Sequence, residues 1–335
     1  MKTYEIQAFG IENLALVERP EPAVGDREAL VKFHAASLNY RDLMMVKGSY
    51  NPRLKMPLVP FSDGAGEVVA VGAGVTKWKP GDRVMPAFMQ GWIDGGIAAE
   101  KARTALGGDR DGVLREFGAF DEDGLVRIPD HFSYEEAATL PCAAVTAYHA
   151  LFESGRLRPE DTILLQGTGG VSIFALQLAS VYGARTIITS SSDEKLRRAK
   201  ELGADELINY REREDWDRAV LELTGKRGVD TVVEVGGAGT LQKSVNAVRM
   251  GGHVAVIGVL SGKGEFNPTA ILMKSVRLQG IFVGSRQMFE QMNLLLCQHS
   301  HLKPIIDKTF GFGEVRDALM YLESGKHFGK IVVKF

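Results

Sequence analysis

The chain has 335 residues, of which 45% are hydrophobic and 24% charged, so at about 150 residues per domain it is expected to form two domains with a sizeable core. Its net charge of −2 excludes a global field that attracts nucleic acid or membranes, and neither is expected as a partner. The two cysteines, Cys142 and Cys297, exclude a disulfide framework and a tetrathiolate zinc site. Without a leader or a long apolar run, the sequence predicts a soluble, cytoplasmic protein.

The first part of the chain is rich in glycine and proline. Short β-branched runs lie at residues 29–33, 66–71 and 82–85. Such runs, separated by turn residues, predict strands. We therefore expect an irregular β-rich domain over residues 1–139.

From about residue 140, apolar strand-like runs alternate with helical stretches. The predicted strands are 162–166, 186–190, 206–209, 231–234, 253–258 and 277–283, and the predicted helices are 171–182, 194–202, 216–224 and 241–248. This alternation predicts an α/β fold with a doubly wound parallel sheet over residues 140–284. The remaining segment, 285–335, loses the alternation and is expected to return to the first domain; its predicted elements are helices at 287–297 and 315–324 and strands at 305–310 and 330–335.

The first strand of this α/β region runs into a glycine turn that opens a helix. The turn reads Gly167-Thr168-Gly169-Gly170-Val171-Ser172. Its first two glycine positions allow a pyrophosphate to approach backbone N–H groups at the helix N-terminus, and Ser172 is small enough to replace the third. A glycine turn alone is weak evidence, but the surrounding βα units predict that these residues bind a dinucleotide.

The end of the second strand bears on the choice between NAD and NADP. NAD sites commonly carry a carboxylate here, whereas this chain has Ser190 and Ser191, followed by Lys195. Hydroxyls and a lysine accommodate a 2′-phosphate, which favours NADP(H). Alternatively, Ser192 or Asp193 caps the next helix and Lys195 is solvated. Both interpretations can hold together, and Asp193 leaves NAD open.

Further motifs follow one another along the whole chain: SLNYRD at 37–42, KGSY at 47–50, PFSDGAG at 60–66, KPGDRV at 79–84, LPCAAVTA at 140–147 and SGKHFGKIV at 324–332. With the glycine turn, they resemble the medium-chain dehydrogenase/reductase superfamily, especially its zinc-independent quinone-oxidoreductase-like branch. The resemblance implies a GroES-like catalytic domain over residues 1–139 and 285–335, and a Rossmann cofactor domain over residues 140–284.

Zinc alcohol dehydrogenases of this superfamily hold their catalytic zinc with a Cys, a His and a second Cys. The matching positions here are Asn39, Ser62 and Cys142, so only one zinc ligand remains. The segment 85–111, which matches the structural zinc lobe, contains no cysteine. The resemblance therefore implies an enzyme without zinc.

The resemblance also implies cofactor contacts outside the glycine turn. It places Thr146 near the nicotinamide, Tyr210 beside the adenosine 2′-phosphate and Lys330 near the phosphates. The other positions expected along the cofactor are Gly236, Gly258, Val259, Phe282, Val283, Gly284 and Arg286. For Phe282 and Val283, ordinary strand core is an equal alternative. Relatives commonly dimerise through the edge of the nucleotide sheet, so a homodimer through the strand 277–283 is expected.

Without a metal, hydride addition to an activated C=C bond needs positioning and a donor for the enolate oxygen. The expected small-molecule substrate is thus a quinone or an α,β-unsaturated carbonyl or enoyl compound. Tyr50 matches a tyrosine held to donate a proton in related enoyl-thioester reductases, and Asn39 would offer its amide. Alternatively, Tyr50 covers a turn and Asn39 forms one. Tyr40, Phe88 and Trp92 are expected to wall an apolar substrate pocket, although isolated aromatics are often ordinary core.

Other functions stay open at this point. One is an alcohol dehydrogenase that works through side-chain donors, and another is a non-catalytic NADPH-binding structural or sensor protein. A methyltransferase is disfavoured because its strand-two carboxylate is missing at Ser190.

Overall fold

The computed structural model describes residues 1–258, 262 and 264–335. The chain divides into two units, one formed by Met1–Val145 with Gly284–Phe335 and the other by Thr146–Val283. No helix in the described ranges is both long enough and apolar enough to span a bilayer.

The strands, in chain order, are β1 (Lys2–Ile6), β2 (Leu14–Glu18), β3 (Glu28–Ser37), β4 (Asp63–Val71), β5 (Arg83–Pro86), β6 (Phe117–Asp121), β7 (Leu125–Arg127), β8 (Thr162–Gln166), β9 (Arg185–Ser190), β10 (Glu206–Asn209), β11 (Val229–Glu234), β12 (Val248–Val256), β13 (Arg277–Gly280), β14 (Ile306–Gly311) and β15 (Lys330–Lys334).

The α-helices are α1 (Tyr40–Val46), α2 (Ala99–Ala102), α3 (Tyr134–Ala137), α4 (Val145–Tyr148), α5 (Gly170–Val181), α6 (Asp193–Glu201), α7 (Trp216–Leu223), α8 (Ala238–Ala247), α9 (Thr269–Lys274), α10 (Arg286–Gln298) and α11 (Val315–Glu323). Short 3₁₀ turns lie at Ile11–Asn13, Glu122–Gly124 and Phe312–Glu314, and π-helical turns at Leu140–Ala144 and His149–Ser154.

The first unit is built on a mixed sheet with strand order β14-β15-β3-β4-β5-β7, to which β6 adds by pairing with β3. The long strand β3 is its organising element, because it pairs antiparallel with both β4 and β15. Ser37, at the end of β3, is opposite Asp63 on one side and Val332 on the other. This register brings the start of β4 and the start of β15 to the same end of the sheet as the β3–α1 corner.

The second unit contains a parallel sheet of order β10-β9-β8-β11-β12-β13. The inner strands β8 and β11 are buried along their whole length, as expected for strands covered on both faces. The chain runs outward from β8 in one direction and from β11 in the other, so their carboxyl ends meet where the strand order reverses. Ligands of doubly wound sheets bind at this point.

The α/β fold with a doubly wound parallel sheet is thus confirmed. The predicted and observed elements of this sheet differ mainly at β12 and β13. Strand β12 begins at Val248, earlier than predicted, because the glycines at 251 and 252 hide its pattern; Gly251 has a φ of 68°. Strand β13 ends at Gly280 and its four residues are all exposed. The short helices α1, α2, α3, α4 and α9 were not predicted.

Candidate functional site

The glycine turn joins β8 to α5 with the geometry of a phosphate loop. Gly167 has a φ of +70°, a conformation that side chains other than glycine rarely adopt. A Cβ atom at Gly167 or at Gly169 would meet no heavy atom within 4 Å, so there is open space beside both glycines. Gly169 is the N-cap of α5, and the first N–H groups of that helix follow at Gly170 and Val171. The turn therefore fits a cofactor pyrophosphate.

Ser172 occupies the third position of the glycine turn without opening the helix from the strand. Its hydroxyl is buried and donates to the backbone oxygen of Gln166 at 2.6 Å. The side chain of Thr168 is also nearly buried. A serine thus replaces the glycine by bonding to the end of β8.

The ends of β9 and β10 bring Ser190 and Tyr210 together. Tyr210 N donates to the backbone oxygen of Ser190 at 3.0 Å, and the Tyr210 side chain is exposed. Ser192 caps α6 by accepting from Lys195 N, as the alternative interpretation proposed. The carboxylate of Asp193 accepts from Asn209 Nδ2 at 2.7 Å. The hydroxyl of Ser190, not a carboxylate, therefore ends β9.

A buried carboxylate, missed by the sequence analysis, organises the loop after β11. Glu234 is fully buried, and its Oε1 accepts from Gly236 N at 2.8 Å, Gly237 N at 2.9 Å and Thr240 Oγ1 at 2.6 Å. Its Oε2 accepts from Gln166 Nε2 at 2.7 Å and from the Ser244 hydroxyl. Glu234 therefore ties the end of β8 to the loop before α8. The sequence does offer a sign of this role, because Glu234 is a charged residue at the end of the otherwise apolar run of β11.

The other cofactor positions of the second unit lie in varied surroundings. Thr146 is buried in α4, whereas Phe282 is exposed. Val283 is buried, has a φ of 53°, and its backbone oxygen accepts from His149 Nδ1 at 2.7 Å. A Cβ at Gly258 would lie 1.8 Å from the backbone oxygen of Val235, so only glycine fits there. Val259 lies outside the described residues.

In the first unit, the residues that match zinc ligands lie in one hydrogen-bonded cluster. Asn39 Nδ2 lies 3.4 Å from Ser62 Oγ, which donates to Asp63 Oδ1 at 2.6 Å. The second oxygen of Asp63 accepts from Cys142 N at 3.1 Å. Lys330 Nζ donates to Asn39 Oδ1 at 2.5 Å and to the backbone oxygen of Leu38 at 2.6 Å. We call Asn39, Ser62, Asp63, Cys142 and Lys330 the amide cluster.

Two buried carboxylates lie in or beside the amide cluster. Burial raises the pKa of Asp63, while the charge of Lys330 opposes this shift. Asp42 accepts from Asn39 N at 2.8 Å, and burial raises the pKa of its carboxyl to about 7 although Arg41 lowers it. Both carboxylates are thus held by hydrogen bonds in a water-poor environment.

The amide cluster does not fit a catalytic zinc. Asn39 Oδ1 is bound to an ammonium, and the hydroxyl of Ser62 is committed to Asp63. Burial, and then the charge of Asp63, raise the pKa of the Cys142 thiol well above its ordinary range, which favours the thiol over the zinc-binding thiolate. Within the described ranges, no group of three His, Cys, Asp or Glu side chains could hold a metal ion.

The expected proton donor and pocket residues also belong to the first unit. Tyr50 is 43% exposed, and the guanidinium of Arg41 lies 5.6 Å from its ring centroid and 4.7 Å from that of Phe88. Tyr40 is exposed, whereas Phe88 and Trp92 are buried. The structure therefore brings Tyr50 and Phe88 together around Arg41.

The phosphate contacts expected in the first unit already have protein partners. Arg286 pairs with Glu290 at 2.6 Å and with Asp123 at 3.3 Å. Lys330 is 3% exposed and belongs to the amide cluster. At Gly284, a Cβ would lie 2.6 Å from a methyl group of Val145, so the position is tightly packed. Contacts of these residues with a cofactor stay predictions.

Two family profiles match the chain: the alcohol dehydrogenase GroES-like domain over residues 25–130 and the zinc-binding dehydrogenase over residues 170–297. A zinc-type alcohol dehydrogenase-like protein of Schizosaccharomyces pombe is 42% identical over 314 residues, which covers 92% of this chain and 90% of the relative. The chain belongs to the medium-chain dehydrogenase/reductase superfamily. The resemblance seen in its motifs is thereby confirmed, as is the combination of a GroES-like domain with a parallel α/β sheet.

Two solved structures of relatives are similar to this chain over most of its length. A quinone oxidoreductase of Pseudomonas syringae pv. tomato DC3000 superposes with a TM-score of 0.85 at 28% identity, covering 100% of this chain and 99% of that one. The 2-octenoyl-CoA carboxylase reductase CinF, in complex with NADP and 2-octenoyl-CoA, has a TM-score of 0.87 at 27% identity and covers 97% and 82%. This superfamily member is an oxidoreductase with quinone oxidoreductase and alcohol dehydrogenase relatives.

Proposed function

We propose that the protein is an NADPH-dependent oxidoreductase that transfers hydride to a quinone or an α,β-unsaturated carbonyl or enoyl substrate without zinc. The observation that carries the proposal is the amide cluster. Where zinc dehydrogenases of the superfamily have metal ligands, this chain has an amide that hydrogen bonds orient. Such a group stabilises an oxyanion by donation.

The proposed reaction requires two contributions from the residues of this chain: a hydrogen-bond donor to the substrate oxygen and a proton donor. A bound NADPH would supply the hydride, and the residues of this chain would have to stabilise the negative charge on the carbonyl oxygen of the conjugated system and deliver a proton. Asn39 would donate its amide N–H to that oxygen, and the hydroxyl of Tyr50 would deliver the proton that completes the reduction. This role needs a buried hydroxyl within hydrogen-bond reach of the substrate, so a bound substrate would have to cover Tyr50, which is exposed and has the guanidinium of Arg41 5.6 Å from its ring centroid.

The preference for NADPH rests on the ends of β9 and β10. Ser190 and Tyr210 meet there, and the nearest carboxylate in sequence, Asp193, is bonded to Asn209. A hydroxyl-lined position accepts a 2′-phosphate that a carboxylate would repel. That the CinF structure contains NADP supports the same choice. We expect tighter binding of NADPH than of NADH in fluorescence titrations; equal affinities would contradict the cofactor preference.

The substrate class is tested by following oxidation of NADPH against quinones, enones, alkenals, enoyl thioesters and saturated aldehydes. We expect turnover of the conjugated substrates and little of the saturated ones. Turnover restricted to saturated aldehydes would favour the alcohol dehydrogenase alternative, which the Schizosaccharomyces pombe relative supports by name. Tight NADPH binding without any turnover would favour a non-catalytic role.

The proton donor is tested with Tyr50→Phe, which removes only a hydroxyl. Loss of general acid catalysis is expected to lower kcat for enones about 10²-fold with NADPH affinity unchanged. Tyr182→Phe is the matched control, because Tyr182 is similarly exposed and lies in the other unit. An unchanged kcat in Tyr50→Phe would contradict the donor role.

The absence of zinc is tested by metal analysis of the active protein and by treatment with a chelator. We expect substoichiometric zinc and unchanged turnover, because the amide cluster offers no suitable ligand set. About one tightly bound zinc per chain, or inactivation by the chelator, would refute the zinc-free proposal.

We also propose a cytoplasmic homodimer that pairs through the outer edge of β13. This strand ends the sheet and all its residues are exposed. Nearby elements of the same unit carry exposed apolar side chains, namely Met250 in β12 and Leu272 and Met273 in α9. An unpaired edge beside apolar side chains favours association. A monomer in light scattering at micromolar concentration would contradict the dimer.

A further inference from the structure

The side-chain amide of Asn39 is held at both ends. Lys330 Nζ lies 2.5 Å from one amide atom, and Ser62 Oγ lies 3.4 Å from the other. An ammonium only donates, so the atom facing Lys330 has to be Oδ1. The hydroxyl hydrogen of Ser62 points to Asp63 Oδ1 at 2.6 Å, so Ser62 Oγ accepts and faces Nδ2. The chemistry of its partners therefore fixes the orientation of the amide.

This orientation turns the donor end of the amide away from Lys330. Asn39 Nδ2 carries two hydrogens: it lies 3.4 Å from Ser62 Oγ, and its interaction with the Asp63 carboxyl helps to lower the pKa of that group. Asn39 is partly exposed, whereas Lys330 and Ser62 behind it are buried. The acceptor end of the amide is occupied by the ammonium, and because the contact with Ser62 is long, at 3.4 Å, a substrate oxygen can compete for an N–H of Nδ2.

The buried ammonium also strengthens that donor. Lys330 uses two of its three N–H groups on Leu38 and Asn39, and its positive charge lies against the carbonyl end of the amide. In a medium of low dielectric, linked hydrogen bonds polarise one another, so a charge at Oδ1 makes the Nδ2 hydrogens more positive. The carboxylate of Asp63, linked through Ser62, lies on the other side of the amide.

The sheet register supplies this arrangement. Val332 of β15 is opposite Ser37 of β3, so Lys330, two residues earlier in an antiparallel strand, lies beside Asn39. Lys330 is 291 positions from Asn39 in the chain, and only the pairing of β15 with β3 brings them together. The ammonium is thus built into the sheet and is not a mobile surface group.

We infer that Lys330 is a positioning residue for the reaction: it holds and polarises Asn39 so that the amide offers an N–H to the substrate oxygen. This inference deepens the proposed reductase function and rests on it. It also narrows the substrate class. A site that presents a polarised donor favours an oxygen on which negative charge develops, such as the carbonyl oxygen of a conjugated substrate as it becomes an enolate.

The test compares Lys330→Met with Lys334→Met in the full chain. Lys334 lies on the same strand, is exposed and pairs with Glu135, so its substitution removes an equivalent charge away from the cluster. For the enone or quinone that the wild type reduces best, we expect Lys330→Met to lower kcat about 10²-fold, the typical effect of weakening one oxyanion donor. The dissociation constant of NADPH should change by less than about two-fold, as for a group that contacts no cofactor.

The resemblance suggested a different role for Lys330, contact with the cofactor phosphates, and the same measurements separate the two. A rise in the NADPH dissociation constant of about ten-fold, which corresponds to a lost charged contact, would overturn the positioning role. So would additive effects of Lys330→Met and Asn39→Ala, because residues that act as a unit are non-additive. In a protein that already carries Asn39→Ala, we expect the addition of Lys330→Met to lower kcat by less than about three-fold.

Asn39→Asp and nuclear magnetic resonance keep the test decisive if Lys330→Met does not fold. Asn39→Asp gives Lys330 an ion-pair partner and removes the N–H, so it should fold and still lose about 10²-fold in kcat. Wild-type turnover in Asn39→Asp would overturn the inference.

If the wild type reduces no compound of the panel, the proposed function fails by itself. The Asn39 side-chain NH₂ resonance then decides separately: a shift in Lys330→Gln but not in Lys334→Met supports the positioning role, and an unchanged resonance refutes it.

Discussion

Glu234→Gln tests whether the buried carboxylate after β11 organises the nucleotide unit. The wild-type carboxylate accepts hydrogen bonds from five groups: Gly236 N, Gly237 N, Thr240, Gln166 and Ser244. A glutamine can keep the oxygen that faces Gly236, Gly237 and Thr240, although these bonds lose their charge assistance. Its new NH₂ group would face Gln166 Nε2, so that a donor meets a donor in a buried site.

The expected magnitude follows from these contacts. Bonds to a charged group contribute about 1.5–3 kcal/mol each and neutral ones about 1, and an unsatisfied buried group costs about 1–3 kcal/mol. The easier burial of a neutral amide offsets part of this loss. We expect a net destabilisation of about 3 kcal/mol, which corresponds to a fall in Tm of about 6–12 °C for a domain of this size.

The assay is differential scanning calorimetry combined with NADPH titration. Because Glu234 holds the N–H groups of Gly236 and Gly237, we expect the NADPH dissociation constant to rise about ten-fold, or about 1.4 kcal/mol. Glu206→Gln is the matched control: Glu206 lies in the same unit and pairs with Arg185 on the surface, so its loss should be worth less than about 1 kcal/mol. Equal Tm values for Glu234→Gln and Glu206→Gln would refute this role of Glu234.

Two further predictions concern titration and thiol chemistry. Burial, with help from Arg277, lowers the pKa of His253 from 6.5 to about 4, so between these values the unfolded chain binds a proton that the folded protein does not. Stability should therefore fall as the pH falls through this window, by up to about 3 kcal/mol, and urea unfolding at pH 7.5 and 4.5 should show a smaller fall in His253→Gln. Asp42, whose pKa is raised to about 7, has the opposite pH dependence but is present in both proteins; an identical pH dependence of wild type and variant would contradict the assignment to His253. Cys142 is half-buried and its surroundings raise the pKa of its thiol, whereas Cys297 is exposed, so an aromatic disulfide reagent should modify a single thiol rapidly in the folded protein. That fast phase should vanish in Cys297→Ser, and its persistence would show that the Cys142 thiol is accessible.

The sequence by itself determined features that depend on neighbouring residues. The strands and helices from Thr162 to Asn209 follow from the periodicity of apolar side chains, and the turn at Gly167 from the conformational freedom of glycine. Motifs in a fixed order were enough to identify the superfamily and to predict that Asn39 and Ser62 occupy positions of zinc ligands. These inferences need no knowledge of which segments meet.

Only the tertiary structure decided which side chains act together. Cys142 meets Asp63 across 79 positions of chain, through the packing of a helical turn against β4. Lys330 meets Asn39 across 291 positions through the register of β15 with β3, which no local pattern encodes. The same holds for Glu234 and Gln166, which belong to neighbouring strands separated by two βα units. A buried polar group needs a hydrogen-bond partner, and tertiary packing decides which groups lie within reach. The pairing therefore cannot be read from sequence spacing.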